Sequence, residues 1–307
     1  MSPPLGFVIL SHTASGQLPR LVDTLNRLYD RPPIAIHHDF SQAALAIDDF
    51  PSNVAFVDPS IRTRWSHISC TYALIAALCL LYRRNAPDWF TFLSASDYPV
   101  LAGDRVVAEL QRNAFDLYLD HQLVELNPPP LDDPPPSCIG SHRVEWRRMA
   151  YDRYVAKEYR YPSLTRRLTY THRRIILRSP WLLAPFQPFA SDWKCYAGDF
   201  WFTGNGKAAD ILMRSTTDHA RTFRHFENRF CPDEALIHTI LANQPGLRIC
   251  NDNKRFANWF GQEAHPRTVD LGDLEVLSSS RYHFARKFAP DPSSAVLAEI
   301  DRRLGLK

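Results

Sequence analysis

The residues best suited to do chemistry stand at the ends of short apolar runs. Ser11-His12 follows Phe7-Val8-Ile9-Leu10, His37-His38-Asp39 follows Ile34-Ala35-Ile36, and Ser94-Ala95-Ser96-Asp97 follows Trp89-Phe90-Thr91-Phe92-Leu93. Buried strands of an α/β sheet deliver such residues to its carboxyl edge, where ligands bind. The histidine pair offers metal-ligand chemistry, with His12 or His67 as further donors. Adjacent strand residues point to opposite faces, which sets His37 and His38 against sharing one ion. Asp39 is better suited to accept hydrogen bonds from a ligand hydroxyl or ring nitrogen.

A second set lies in the C-terminal half. Pro232-Asp233-Glu234 opens a helical pattern, and a carboxylate there is by itself a partner for the helix dipole. Arg267 and Lys287 alone would pass as solvated charges. Gly204-Asn205-Gly206-Lys207 fails as a phosphate loop, because Trp201 occupies the first glycine position and Ala208 the hydroxyl position. No two aspartates are separated by a single residue, so no DxD motif is available to hold a divalent ion on a nucleotide diphosphate. Such a diphosphate would need Lys or Arg, the latter through a bidentate fork.

The elements that must position these groups alternate strand and helix. Strands are predicted at the apolar runs above and at Val54-Ala55-Phe56-Val57. Leu18, Leu21, Val22, Leu25 and Leu28 recur at helical spacing, and residues 66–81 read as a helix. This pattern predicts a mainly parallel sheet with helices on both faces. Six prolines in residues 128–136 predict an extended loop. Residues 142–178 carry eleven Lys/Arg against three acids, interleaved with aromatics, and read as irregular or helical cover. Residues 199–203 read as another strand, 233–241 as a helix, and 295–304 as a closing amphipathic helix.

Composition narrows the classes. The 307 residues, 45% hydrophobic and 22% charged, describe a globular chain. We expect one domain over 1–307, with residues 128–178 as a proline-rich and basic insertion on the acceptor side. A net charge of +3 is too small to imply nucleic acid, and no aromatic RNA motif or zinc-finger spacing is present. The basic tyrosine-rich stretch suits an acidic or carbohydrate acceptor, or peripheral contact with an anionic membrane. Cys70, Cys79, Cys138, Cys195, Cys231 and Cys250 form no CxxC pair and are expected to be unpaired thiols. The N-terminus lacks a basic segment followed by a long apolar run, and residues 72–82 are too short to span a bilayer. No signal peptide or membrane anchor is therefore expected, and the expected location is cytoplasmic.

Taken in order, eight pieces resemble the core-2/I-branching N-acetylglucosaminyltransferases and the peptide O-xylosyltransferases. They are FVILSHTASGQLPRLVDTL, IAIHHD, WSHISCTYALIAAL, WFTFLSASDYPV, GDFWFTGNGKAADIL, CPDEALIHTIL, NWF with HPRT, and FARKF. LSASDYP is similar to the xylosyltransferase branch, and the PDE and FARKF pieces to the branching enzymes. The resemblance implies a nucleotide-binding α/β transferase fold of the GT-A type. It implies an inverting, metal-independent transfer from a UDP-sugar, with no cofactor. UDP-N-acetylglucosamine is the first expected donor and UDP-xylose the second. The acceptor would be a carbohydrate, a glycolipid or another hydroxyl-bearing molecule.

The resemblance also implies roles. Glu234 of the PDE piece would be the catalytic base. Arg267 and Lys287 would hold the diphosphate, Asp39 would contact the uridine, and Ser11 and His12 would line the uracil pocket. Trp259 would stack on an acceptor sugar, and Asp97 would order its loop or bind acceptor. The sequence departs from the branching enzymes at Gly261, where an aromatic is expected. Two rival classes follow from the same residues: a non-catalytic carbohydrate-binding module, and a metal-dependent hydrolase built on His12, His37, His38 and Asp39.

Overall fold

The structure is a computed structural model. It describes the chain except residues 1, 14–15, 113, 128–140, 165–169, 178–181, 183–185, 260–264, 290, 292 and 307, and for 141–145 and 158–176 it describes backbone only. The expected proline loop, Cys138 and Gly261 lie outside the described residues.

Seven strands build the central sheet. They are β1 (Leu5–Ser11), β2 (Ile34–His38), β3 (Val54–Phe56), β4 (Trp89–Ser94), β6 (Leu117–Leu119), β11 (Phe202–Asn205) and β12 (Ile249–Cys250), in the order β12-β6-β11-β4-β1-β2-β3. Only β11 runs antiparallel to its neighbours, so the sheet is mixed and mostly parallel. Side chains alternate across β1. Phe7 and Ile9 pack toward α1 (Gln17–Leu28), α3 (Gly103–Gln111) and the closing helix α8 (Ser294–Arg303). Val8 packs on the other face, with α2 (Ser69–Arg84), α5 (Gly206–Asp218) and α7 (Asp233–Ala242). All three side chains are fully buried, and each contributes roughly 1.5–3 kcal/mol by leaving water. This accounts for the continuous apolar run that marks a two-sided strand.

Smaller sheets sit beside this one. β5 (Asp97–Pro99) follows β4 directly and pairs with β14 (Phe284–Arg286), which also pairs with β13 (Arg255–Ala257). Tyr98 is buried and locks this sheet to two helices, since its hydroxyl donates to Asp301 Oδ1 at 2.7 Å and lies 2.6 Å from Thr24 Oγ1. β7 (Gln122–Leu123) pairs with β10 (Tyr196–Ala197).

Three sequence expectations need correction. Residues 142–178 are not all irregular or helical. Helix α4 (Ser141–Ala150) and a π turn (Tyr151–Val155) lead into a hairpin of β8 (Lys157–Leu164) and β9 (Tyr170–Leu177). Alternation of charge and aromatic in Glu158-Tyr159-Arg160-Tyr161 is the period-two signal that helical cover would lack. The strand expected at 199–203 starts at Phe202 and extends to Asn205, whose side chain caps α5 by accepting from the Lys207 and Ala208 amides. The helix expected from residue 66 begins at Ser69, because Ser66 adopts a left-handed φ of 59° that no helix continues.

Candidate active site

Glu234 stands in the first turn of α7, after Cys231 and Pro232. Its Oε2 accepts from Arg153 Nη1 at 3.2 Å and from the Tyr154 hydroxyl at 3.4 Å. The side chain is 39% exposed, so solvent reaches it. Crowding by protein atoms, followed by the charge of Asp233, raises its pKa to about 7, against the pull of Arg153 and Tyr154. Burial likewise lifts Asp233 to about 6. A carboxylate half-ionised at neutral pH and open to a cleft is suited to accept a proton.

The approach to Glu234 is shaped by a strained contact. Ser66 and Cys231 both hold left-handed backbone, at φ 59° and 47°. The Cys231 amide donates to Ser66 Oγ at 2.8 Å. Two non-glycine residues in this region cost about 1–2 kcal/mol each, and the hydrogen bond between them fixes the two loops together.

β14 ends on a cation, Arg286, and a second, Lys287, follows it. Arg286 stacks on Trp201 with its guanidinium carbon 4.1 Å from the ring centroid, and its Nε lies 3.4 Å from Asp97 Oδ1. It is close enough to feel the charges of Asp97, Asp199 and Glu234. Its neighbour Lys287 lies within electrostatic reach of His12. His12 is pushed below its ordinary pKa by burial first, and by the charges of His38 and Lys287, while Asp39 opposes this. None of the described residues forms an ion pair with the Lys287 ammonium. The end of β14 thus joins the surroundings of Glu234 to those of His12.

The expected site residues are placed unequally. His12 lies within electrostatic reach of Asp39 and Lys287, and Arg286 within reach of Glu234. Arg267 is anchored nearby, since Val269 N donates to Lys287 O at 2.8 Å. The Arg267 guanidinium is committed to Asp270 and to Asp273, the latter at 2.6 Å. Trp259 follows β13 on the same side and is 42% exposed. Asp39 has no exposed surface, and its oxygens accept from Ser41, Gln42 and Thr63. Burial would raise its pKa, but these bonds outweigh it and hold the carboxyl well below the usual range. The Ser11 hydroxyl lies 3.1 Å from His38 Nδ1. Asp97 is wholly buried, accepts from the Ser94 amide at 2.8 Å, and faces Arg255 at 3.5 Å. It is built to order the β4–β5 turn and to hold Arg286, and in this position it offers no surface to an acceptor.

Sequence reasoning left Arg153, Tyr154, Asp199, Trp201 and Arg286 without roles. Arg286 was legible as the residue preceding Lys287 in FARKF. Arg153 and Tyr154 close the basic stretch before β8, where no spacing tells which arginine turns inward.

The histidines are spoken for. His37 Nε2 accepts from the Ile61 amide at 2.9 Å, and His38 Nε2 bonds Ala43 O at 2.8 Å. Among the described residues, no group of three His, Cys, Asp or Glu side chains is arranged to hold a metal ion. Among the described residues, the hydrolase alternative has no three-ligand grouping on this cluster to build on.

Comparison with known proteins shows a family resemblance over part of the chain. Residues 148–280 match the model of the core-2/I-branching enzymes. The matched segment holds Arg153, Tyr154, Glu234, Trp259 and Arg267, whereas Ser11, His12, Asp39, Asp97 and Lys287 lie outside it. Among curated proteins the chain is similar to two beta-glucuronosyltransferases of Arabidopsis thaliana. GlcAT14A is 25% identical over 235 residues, covering 74% of this chain and 45% of the relative. GlcAT14B is 26% identical over 240 residues, covering 75% and 47%. The chain spans about half the length of these relatives.

Proposed function

We propose that this chain is a metal-independent, inverting glycosyltransferase of the GT-A type that uses a UDP-sugar. The observation that carries the proposal is Glu234: a solvent-reachable carboxyl with its pKa raised to about 7, within electrostatic reach of Arg286. In this reading Glu234 takes the proton of an acceptor hydroxyl as its oxygen attacks the anomeric carbon. The bond to the UDP oxygen breaks on the opposite side, so an α-linked donor gives a β-linked product. Lys287 meets the charge that develops on the diphosphate, a role a preplaced cation performs without reorganisation. Arg267 contributes less than Lys287, because Asp270 and Asp273 already balance its charge.

The donor sugar is the part most revised by the comparisons. The first expectation was N-acetylglucosamine and the second xylose, yet the curated relatives are glucuronosyltransferases. UDP-glucuronic acid therefore joins the donors to be tried. The acceptor is a glycan or another hydroxyl-bearing molecule.

The test is titration calorimetry of the three UDP-sugars in excess EDTA. We expect one donor to bind, with Lys287→Ala weakening it about ten-fold or more and Arg267→Ala weakening it less. Binding of no uridine nucleotide, or binding only after a divalent metal is restored, would sink the proposal.

A further inference from the structure

Two large aromatic side chains stand in solvent beside the candidate base. Trp65 is 69% exposed and Phe230 is 44% exposed. Their rings meet edge to face, with centroids 5.5 Å apart at 80°. The Arg153 guanidinium carbon lies 5.0 Å from the Phe230 centroid, and the same guanidinium reaches Glu234 at 3.2 Å. An unbroken line of contacts therefore runs from the carboxylate through Arg153 to Phe230 and Trp65. The platform is braced from behind. Ser66 and Cys231, the residues next to the two aromatics, are the pair joined by the amide-to-hydroxyl bond at 2.8 Å. Holding two indole and phenyl faces in water on strained, cross-linked backbone is costly unless something covers them.

We infer that Trp65 and Phe230 form an acceptor subsite that stacks a sugar ring one or more units away from the hydroxyl under attack. A pyranose has an apolar face of C–H groups and a polar rim of hydroxyls. It matches an aromatic platform flanked by the Arg153 guanidinium, which can hydrogen-bond that rim. The platform makes the acceptor an oligosaccharide rather than a monosaccharide, since Phe230 and Arg153 stand between Trp65 and the base in the chain of contacts. The inference rests on Glu234 marking the transfer site.

The experiment is calorimetry of the UDP-loaded protein with cello-, xylo-, galacto- and chito-oligosaccharides of one to six units, read beside UDP release. At least one series should bind more tightly with length. Trp65→Ala should weaken that series about ten-fold or more, with a smaller loss in Phe230→Ala. Trp65→Phe should restore most of the affinity, and UDP affinity serves as the folding control. Equal oligosaccharide binding in wild type and Trp65→Ala overturns the inference, as does binding of none of the series. Light scattering that shows a dimer lost on Trp65→Ala overturns it too, assigning the platform to a second copy of the chain. A glycan that binds through Trp65 but receives no sugar leaves the subsite standing and refutes the transfer.

Discussion

At the residue scale, Glu234 joins structure to chemistry, and its neighbours tune it in opposite directions. Crowding and Asp233 raise its pKa to about 7, while Arg153 pulls it down. Transfer should therefore lose rate as pH falls through about 7, the point at which the base takes up its proton. Arg153→Ala removes a cation, so the acid limb should move to higher pH. Asp233→Asn removes a negative neighbour, so the limb should move to lower pH. A pH–rate profile of kcat/KM for the three proteins checks both signs. Movement in the same direction would mean that the limb belongs to another group. Arg153 was not legible as a partner of Glu234, because they lie far apart in sequence and only packing of the π turn against α7 brings them together.

At the scale of elements, Glu234 depends on how α7 is seated. The Gly198 amide donates to Glu234 O at 2.9 Å, just after β10. A Cβ on Gly198 would come within 2.1 Å of Asp120 O, a backbone atom that cannot step aside. Gly198→Ala should therefore cost about 1–3 kcal/mol, read as a lower denaturant midpoint at unchanged slope. It should also reduce kcat more than donor affinity, since α7 carries the base and not the diphosphate cations. Asp116 is a second seat. Buried before β6, it accepts from the Arg248 amide and guanidinium and from Asn205 Nδ2, tying three strand ends together. Asp116→Ala should destabilise by about 2 kcal/mol in the same measurement. The strands at 5–11, 34–38 and 89–94 were legible because both faces of each are buried, which forces a continuous apolar run. The hairpin after α4 was not, since its proline and arginines masked the period-two pattern.

At the scale of the whole molecule, chain order and spatial order part company. Ser11, Asp39, Asp97, Glu234 and Lys287 come from five separate segments: Ser11 ends β1, Asp39 follows β2, Asp97 opens β5, Glu234 opens α7 and Lys287 follows β14. Which segments carry candidate groups was readable from motifs. That Asp97 is buried against Arg255 and Arg286 was not, because burial is a property of the assembled β5–β14 sheet. The described cysteines Cys70, Cys79, Cys195, Cys231 and Cys250 are free thiols. Burial pushes Cys195 up to about 12 and Cys231 up to about 11. Dithiothreitol should leave Tm unchanged, and iodoacetamide at neutral pH should spare both residues in a peptide map of the native protein. The central claim is that Glu234 is the base of a UDP-sugar transfer made without metal. The most direct measurement is UDP release in excess EDTA by wild type and Glu234→Gln, with donor affinity measured alongside. The account expects release from wild type with an acid limb near pH 7, and a loss of about 10²–10⁴-fold in the variant at unchanged donor affinity. Release by Glu234→Gln at the wild-type rate would contradict it.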